Sequence, residues 1–337
     1  MRSGLLAAGN WIRDHVKTVD RWPDQDGLSM ILEHADANGG GPYNVLKDLS
    51  RLGAPFPLLG HGLVGDDDDG RAILADCAEC GIDASRLRKA PGSRTSYTDV
   101  MTVRSTARRT FFHDRGANAL LGPEHFDFSG AKARIFYLGY LLLLDRLDAQ
   151  GPDGRPAVLG VLRAAGEAGL LRAVDCVSSS SERFRAVVLP ALPQIDVFFV
   201  NDFEAEQITG LPLGRGPSLN RRAVEAAARA LAGFGVRRWT VLHFPEGACA
   251  CSSAGEVLWQ PSVRVPPDII AGPVGAGDAL AAGVLLGVHE DWPMARSLEL
   301  GVCAAAVSLL HPTSSGSIRP HGECLAFGRQ HGFLASP

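Results

Sequence analysis

Long hydrophobic runs are missing from this 337-residue chain. The longest, around Leu138 to Leu144, falls far short of the roughly 20 residues a spanning helix needs, and it reads as a buried strand and its exit. The apolar start from Leu5 to Ala8 is too short for a signal peptide and meets Asn10, Arg13 and Asp14 at once, so a cytoplasmic protein is expected. An excess of one charge is missing too. Lys plus Arg number 33 against 37 Asp plus Glu, a net charge of -4, which points to neither a nucleic-acid nor a membrane partner. Seven scattered cysteines, an odd number, argue against a disulfide framework. Cys77 and Cys80 form a C-x-x-C, but Asp76 and Glu79 flank them and raise rather than lower a thiol's pKa, so buried or half-buried thiols are expected. No Gly-x-Gly-x-x-Gly follows the first apolar run and no Gly-Lys-Ser/Thr follows a glycine loop, which counts against dinucleotide oxidoreductases and Walker-type NTPases. Internal repeats and low-complexity linkers are absent, and the glycine- and proline-rich segment from Gly151 to Pro156 reads as a loop.

What is present centres on Gly272-Pro-Val-Gly-Ala-Gly-Asp278, which runs directly into the small, apolar stretch Ala279 to Gly287. Gly275, Ala276 and Gly277 leave backbone N–H groups unshielded where a helix begins, a geometry suited to an anion. Asp278 falls on the first turn, where the helix dipole favours a carboxylate that can accept a proton from an attacking hydroxyl. Read structurally, the same residues are a glycine turn feeding a buried helix.

The rest of the chain supplies company for that stretch. Leu5 to Ala8 predicts a first strand, after which Asp14 is placed to hold a polyol. Gly39, Gly40 and Gly41 lead into a helix ending at Gly53, with Asn44 either its N-cap or an amide turned to a ligand. Four acids, Asp66 to Asp69, read as a solvated turn capping a helix over 71–80. Two β-branched runs flanking Ser105 to Ala107 predict a hairpin outside the main sheet, a candidate lid. Arg94, Arg104, Arg108, Arg109 and Arg115 make it basic; one is a candidate for meeting an anionic substrate, and most are expected to be solvated. From Ile135 onward strand-like and helix-like stretches alternate, which predicts a mostly parallel, doubly wound sheet. Asn201-Asp-Phe-Glu204 closes one such strand; it is an N-cap with an acidic first turn, or a pair of oxygen ligands suited to Mg²⁺ held largely through water.

Taken together, Gly39-Gly40 with Asn44, Gly62-Leu-Val-Gly-Asp-Asp67 with Gly70, Gly116-Ala-Asn118, Asn201 to Glu204, and Gly275 to Asp278 with Gly283 resemble the ribokinase-like, or PfkB, carbohydrate kinases. The likeness runs from about Leu5 to Gly316. It implies a single domain over 1–330, a three-layer α/β/α fold with a small β-sheet lid formed by about 11–36 and 94–114. It implies ATP and Mg²⁺ as cofactors, a small sugar-like acceptor, Asp278 as catalytic base and Gly275, Ala276 and Gly277 as anion hole. Asp14, Gly39, Gly40, Asn44 and Asn118 would face the acceptor; Asn201, Glu204, His243 and Gly247 would serve the nucleotide, the first two also the metal. A nucleoside kinase, with Trp11 or Tyr43 stacking on a base, and a non-catalytic sugar- or nucleotide-binding regulator are the alternatives. The family usually carries Asp-Thr where this chain has Gly272-Pro273, so the resemblance does not extend to a monovalent cation behind the anion hole. Pro245 stands where a glycine is usual. Pairing of lid edges would give a homodimer.

Overall fold

The apolar runs become strands buried on both faces, which is why they read as continuous rather than alternating. The computed structural model describes residues 2–106, 108–151, 153–178 and 183–335. Its strands are β1 (Leu5–Gly9), β2 (Ile12–Val19), β3 (Ile31–Gly39), β4 (Leu58–Val64), β5 (Asp83–Lys89), β6 (Ser96–Val103), β7 (Arg109–Asp114), β8 (Ile135–Leu141), β9 (Leu171–Cys176), β10 (Val197–Asn201), β11 (Trp239–Phe244), β12 (Gly247–Ser252) and β13 (Val257–Pro261). Its α-helices are α1 (Gly41–Leu52), α2 (Asp68–Glu79), α3 (Asp145–Asp148), α4 (Val158–Glu167), α5 (Leu189–Ala191), α6 (Asp202–Thr209), α7 (Arg221–Gly233), α8 (Ala276–His289), α9 (Met294–Ser308) and α10 (His321–His331).

Nine strands form the main sheet in the order β13-β12-β11-β10-β9-β8-β1-β4-β5, and only β12 runs against the others. Alternate side chains feed two cores. Leu5, Ala7, Val197 and Phe199 pack with α1, α8 and α9, whereas Leu6, Ala8, Phe198 and Val200 pack with α4 and α7. This is the expected three-layer, mostly parallel α/β/α arrangement. The strand-then-helix rhythm breaks late, however: Pro245 and Glu246 make a two-residue turn between β11 and β12, and β13 follows as a third consecutive sheet strand. Those strands hide in the sequence because small residues and cysteines, Gly247 to Ser252, replace the β-branched pattern. Among the described residues no helix is long and apolar enough to cross a membrane.

A four-stranded sheet, β3-β2-β6-β7, stands apart, with β2 and β6 parallel and the outer pairs antiparallel. Asp67 anchors its base: it caps α2 through the Gly70 N–H at 2.9 Å and accepts from the Thr95 N–H at 2.7 Å.

Close helix packing sets where α8 begins. A Cβ at Gly283 would fall 2.8 Å from the Gly301 Cα, so α8 and α9 touch backbone to backbone. Gly283→Ala is expected to force them apart, lowering stability by about 1–3 kcal/mol and shifting the α8 N-terminus; thermal denaturation should show a lower Tm than for an exposed control, Gly160→Ala.

Candidate active site

Asp278 lies in the first turn of α8 and is buried. Its two oxygens accept hydrogen bonds from opposite sides: the Tyr140 hydroxyl donates to Oδ1 at 2.7 Å and the Asn44 amide to Oδ2 at 2.8 Å. Burial pushes its pKa up to about 6, with both hydrogen bonds opposing the rise. Asn44 is in turn fixed by the Ser314 hydroxyl, which donates to its Oδ1 at 2.8 Å. Gly275 caps the helix in the left-handed region at φ 80°, and a Cβ there would collide with Ser314 at 2.5 Å. The helix N-terminus therefore opens toward a cavity of about 900 Å³ between the two sheets, with Gly272 to Asp278 along its wall. Of the three small residues, Ala276 already donates its N–H to the Pro273 carbonyl at 3.3 Å.

The opposite wall is the small sheet, from which Asp14 and Thr98 face the cavity. Burial raises Asp14 to about 6, and the Thr98 hydroxyl bound to it works against that rise. Further along, the carboxyl ends of parallel strands contribute Tyr140, Asp175, Asn201 and His243, the place where open α/β sheets gather ligands. Glu204 is buried and pushed to about 7 by that burial. Its Oε2 accepts from the Asn201 N–H at 3.0 Å, while the Asn201 Oδ1 accepts from the Glu204 N–H at 2.8 Å. The two residues are thus a capping box and cavity lining at once. His243, pushed to about 4 by burial, stays neutral beside Gly277.

Sequence and shape agree on what this arrangement belongs to. Residues 7–320 match the pfkB family carbohydrate kinase description. The chain belongs to that family. An ATP-dependent ribose-1-phosphate kinase of Halopiger xanaduensis is 28% identical over 90% of this chain and 91% of its own. A 5-dehydro-2-deoxygluconokinase of Geobacillus kaustophilus is 25% identical over 87% of this chain and 85% of its own. The Arabidopsis thaliana ribokinase solved with ribose and ATP superposes with a TM-score of 0.79 at 19% identity, covering 98% and 99% of the two chains.

Within this carbohydrate kinase several residues lie elsewhere than the sequence suggested. Asn118 does not face the cavity: it is fully buried, its amide spent on the Trp11 backbone, accepting at 3.3 Å and donating at 3.0 Å. Trp11 and Tyr43 do not stack over an acceptor, because they pack edge to face at 6.4 Å in the core. Asn44 is neither an N-cap nor a cavity-wall residue; Gly40 is the cap, and Asn44 works from behind through Asp278. Gly39 and Gly40 are also absent from that wall, being glycines for close approach: a Cβ would fall 2.4 Å from Asp14 Oδ2 at the first and 2.0 Å from the Asn10 carbonyl at the second. Gly247 belongs to β12, where a Cβ would meet the Gln260 carbonyl at 2.5 Å, and not to the cavity wall.

Sequence reasoning missed Tyr140, Asp175 and Ser314, and it named Arg109 only as one of five arginines of which one was a candidate for an anionic substrate. Asp175 had a usable signal, since it ends the run from Leu171 to Val174 as Asn201 ends its own. The ligand atoms of Asp175, Cys176 and Glu204 lie within 4.8 Å of one another. The two carboxylates suit Mg²⁺; burial pushes the Cys176 thiol well above its usual range, which does not. Cys77 is likewise held up at about 12 by burial and Asp76.

Asn44→Ala removes one of the two donors that lower the Asp278 pKa. Titration of the Asp278 carboxyl by ¹³C NMR is expected to move upward from about 6, and an unmoved or lower midpoint would exclude this coupling.

Proposed function

We propose that the protein transfers the terminal phosphoryl group of ATP to a hydroxyl of a sugar held between the two sheets, with Asp278 as base. The observation that carries this is a buried carboxylate of pKa about 6, held at a helix N-terminus by two donors and open to a cavity of about 900 Å³. A base of that pKa is ionised at neutral pH yet basic enough to assist a hydroxyl. The names of the relatives support the donor: one is called ATP-dependent, and the ribokinase was solved with ATP.

Asp14, with Thr98, binds the sugar hydroxyls. Asp278 takes the proton of the attacking hydroxyl. Charge developing on the transferring group is met by the α8 N-terminus, where the Gly275 and Gly277 N–H groups lie beside Asp278. Glu204 and Asp175, with Asn201 through water, would hold Mg²⁺, which when bound neutralises charge across the nucleotide phosphates. His243, being neutral, lines the nucleotide end without adding charge. The small sheet acts as a lid that excludes water from the transfer. With Trp11 and Tyr43 buried in the core, the stacking that would favour a nucleoside acceptor has no support.

We also propose a homodimer formed by edge pairing of the small sheet, whose edge strand β3 exposes Ile31 and Leu32. Light scattering that shows only monomer at micromolar concentration would end that idea.

The direct test is ADP release from ATP and Mg²⁺ across a panel of sugars, sugar acids and sugar phosphates. Asp278→Asn is expected to lower turnover by roughly 10²–10⁴-fold while ATP affinity changes little. In the native protein kcat/KM should rise with pH to a plateau, half-maximal near 6, because protonated Asp278 accepts no proton. Equal turnover by the variant would remove Asp278 from the mechanism.

A further inference from the structure

We propose that Arg109 is the anion-binding side chain of this cavity, taking a phosphate or carboxylate group brought either by the acceptor sugar or as the terminal phosphate of the nucleotide. The proposal rests on the cavity being the transfer site described above.

Arg109 opens β7, and the cavity-facing side of the small sheet is built from alternate residues: Asp14, Val16 and Thr18 on β2, Thr98, Val100 and Thr102 on β6, Arg109 and Phe111 on β7. The register sets Thr102 opposite Arg109, and Thr98 beside Asp14. The hydroxyl-binding carboxylate and the guanidinium therefore sit toward opposite ends of the cavity-facing side of the small sheet. Arg109 is the one Lys or Arg among the described residues lining this cavity.

Three other arginines near this sheet are paired, and Arg108 is exposed to solvent. Arg94 meets Asp114 at 2.6 Å, Arg104 meets Glu33 at 2.7 Å, and Arg115 meets Asp145 at 2.5 Å. The half-buried Arg109 side chain has no ion pair or hydrogen-bond partner among the described residues, and burial alone lowers its pKa, with no carboxylate working against it. A half-buried cation without a counter-charge is costly, and a ligand anion removes that cost. The hydroxyl of Thr102, which faces Arg109 across the strand pair, is buried and also without a partner. Guanidinium geometry matches phosphate and carboxylate oxygens in pairs.

Gly272 makes the approach possible. A Cβ there would fall 2.8 Å from the Arg109 Nη2, so a side chain at this position would displace the guanidinium. The glycine that departs from the usual family residue thus has a role: it admits a cation from the lid beside the loop that opens α8.

The test is calorimetric binding, without turnover, of inorganic phosphate, ribose 5-phosphate, gluconate, neutral ribose and ATP to the native protein, Arg109→Ala and Arg109→Lys. The Ala variant is expected to weaken binding of anionic probes by about tenfold to a hundredfold, with partial recovery in Lys, which keeps charge but not the fork. Because the Arg109 side chain has no partner among the described residues, the Ala variant should melt at or above the native temperature. Loss confined to the anionic sugars assigns the group to the acceptor; loss confined to ATP assigns it to the nucleotide. Native protein that binds no anion, or variants that bind every anionic probe within twofold of native, would overturn the proposal. Anion binding lost in the variant but no ADP release with any sugar would leave Arg109 in place and reject the kinase reading instead.

Discussion

A carboxylate buried at the start of a helix is the constraint to which the other parts answer. Asp278 can stay in the interior only because the Tyr140 hydroxyl and the Asn44 amide satisfy it from two directions and the α8 dipole favours its charge. Each partner is fixed by its own element. Tyr140 lies at the end of β8, its N–H held by the Asn10 side chain at 2.7 Å, and Asn44 lies on α1, held by Ser314. Moving any one of these elements would leave a buried charge short of a partner.

That constraint explains the distribution of glycine. Gly275 lets the loop rest on Ser314, Gly283 lets α8 lie against α9, and Gly40 lets α1 start against the Asn10 carbonyl. All three bring backbone close to backbone around the same carboxylate, and each would be costly to fill. The site is thus a packing solution before it is a chemical one.

Electrostatically the cavity is divided. Carboxylates at Asp14, Asp175, Glu204 and Asp278 are all raised by burial, so each is easily neutralised by a ligand, a proton or a cation. Against them stands Arg109, carried in by the smaller sheet. A charged group between the sheets would meet both kinds of group, and both act more strongly where water is excluded.

Much of this was legible locally. Apolar runs marked β1, β8, β9, β10 and β11, the glycine turns marked the starts of α1 and α8, and Asn201 with Glu204 marked the start of α6, because periodicity, turn chemistry and caps are set by neighbours in the chain. Asp278 could be picked out for the same reason. Tertiary structure decided what these residues touch. Asn44 reaches Asp278 across 234 residues, Asn118 turns to Trp11 across 107, and Arg109 meets Gly272 only because a strand of the smaller sheet passes the loop before α8. Such contacts depend on sheet order and strand register, which long-range packing selects and no local pattern encodes.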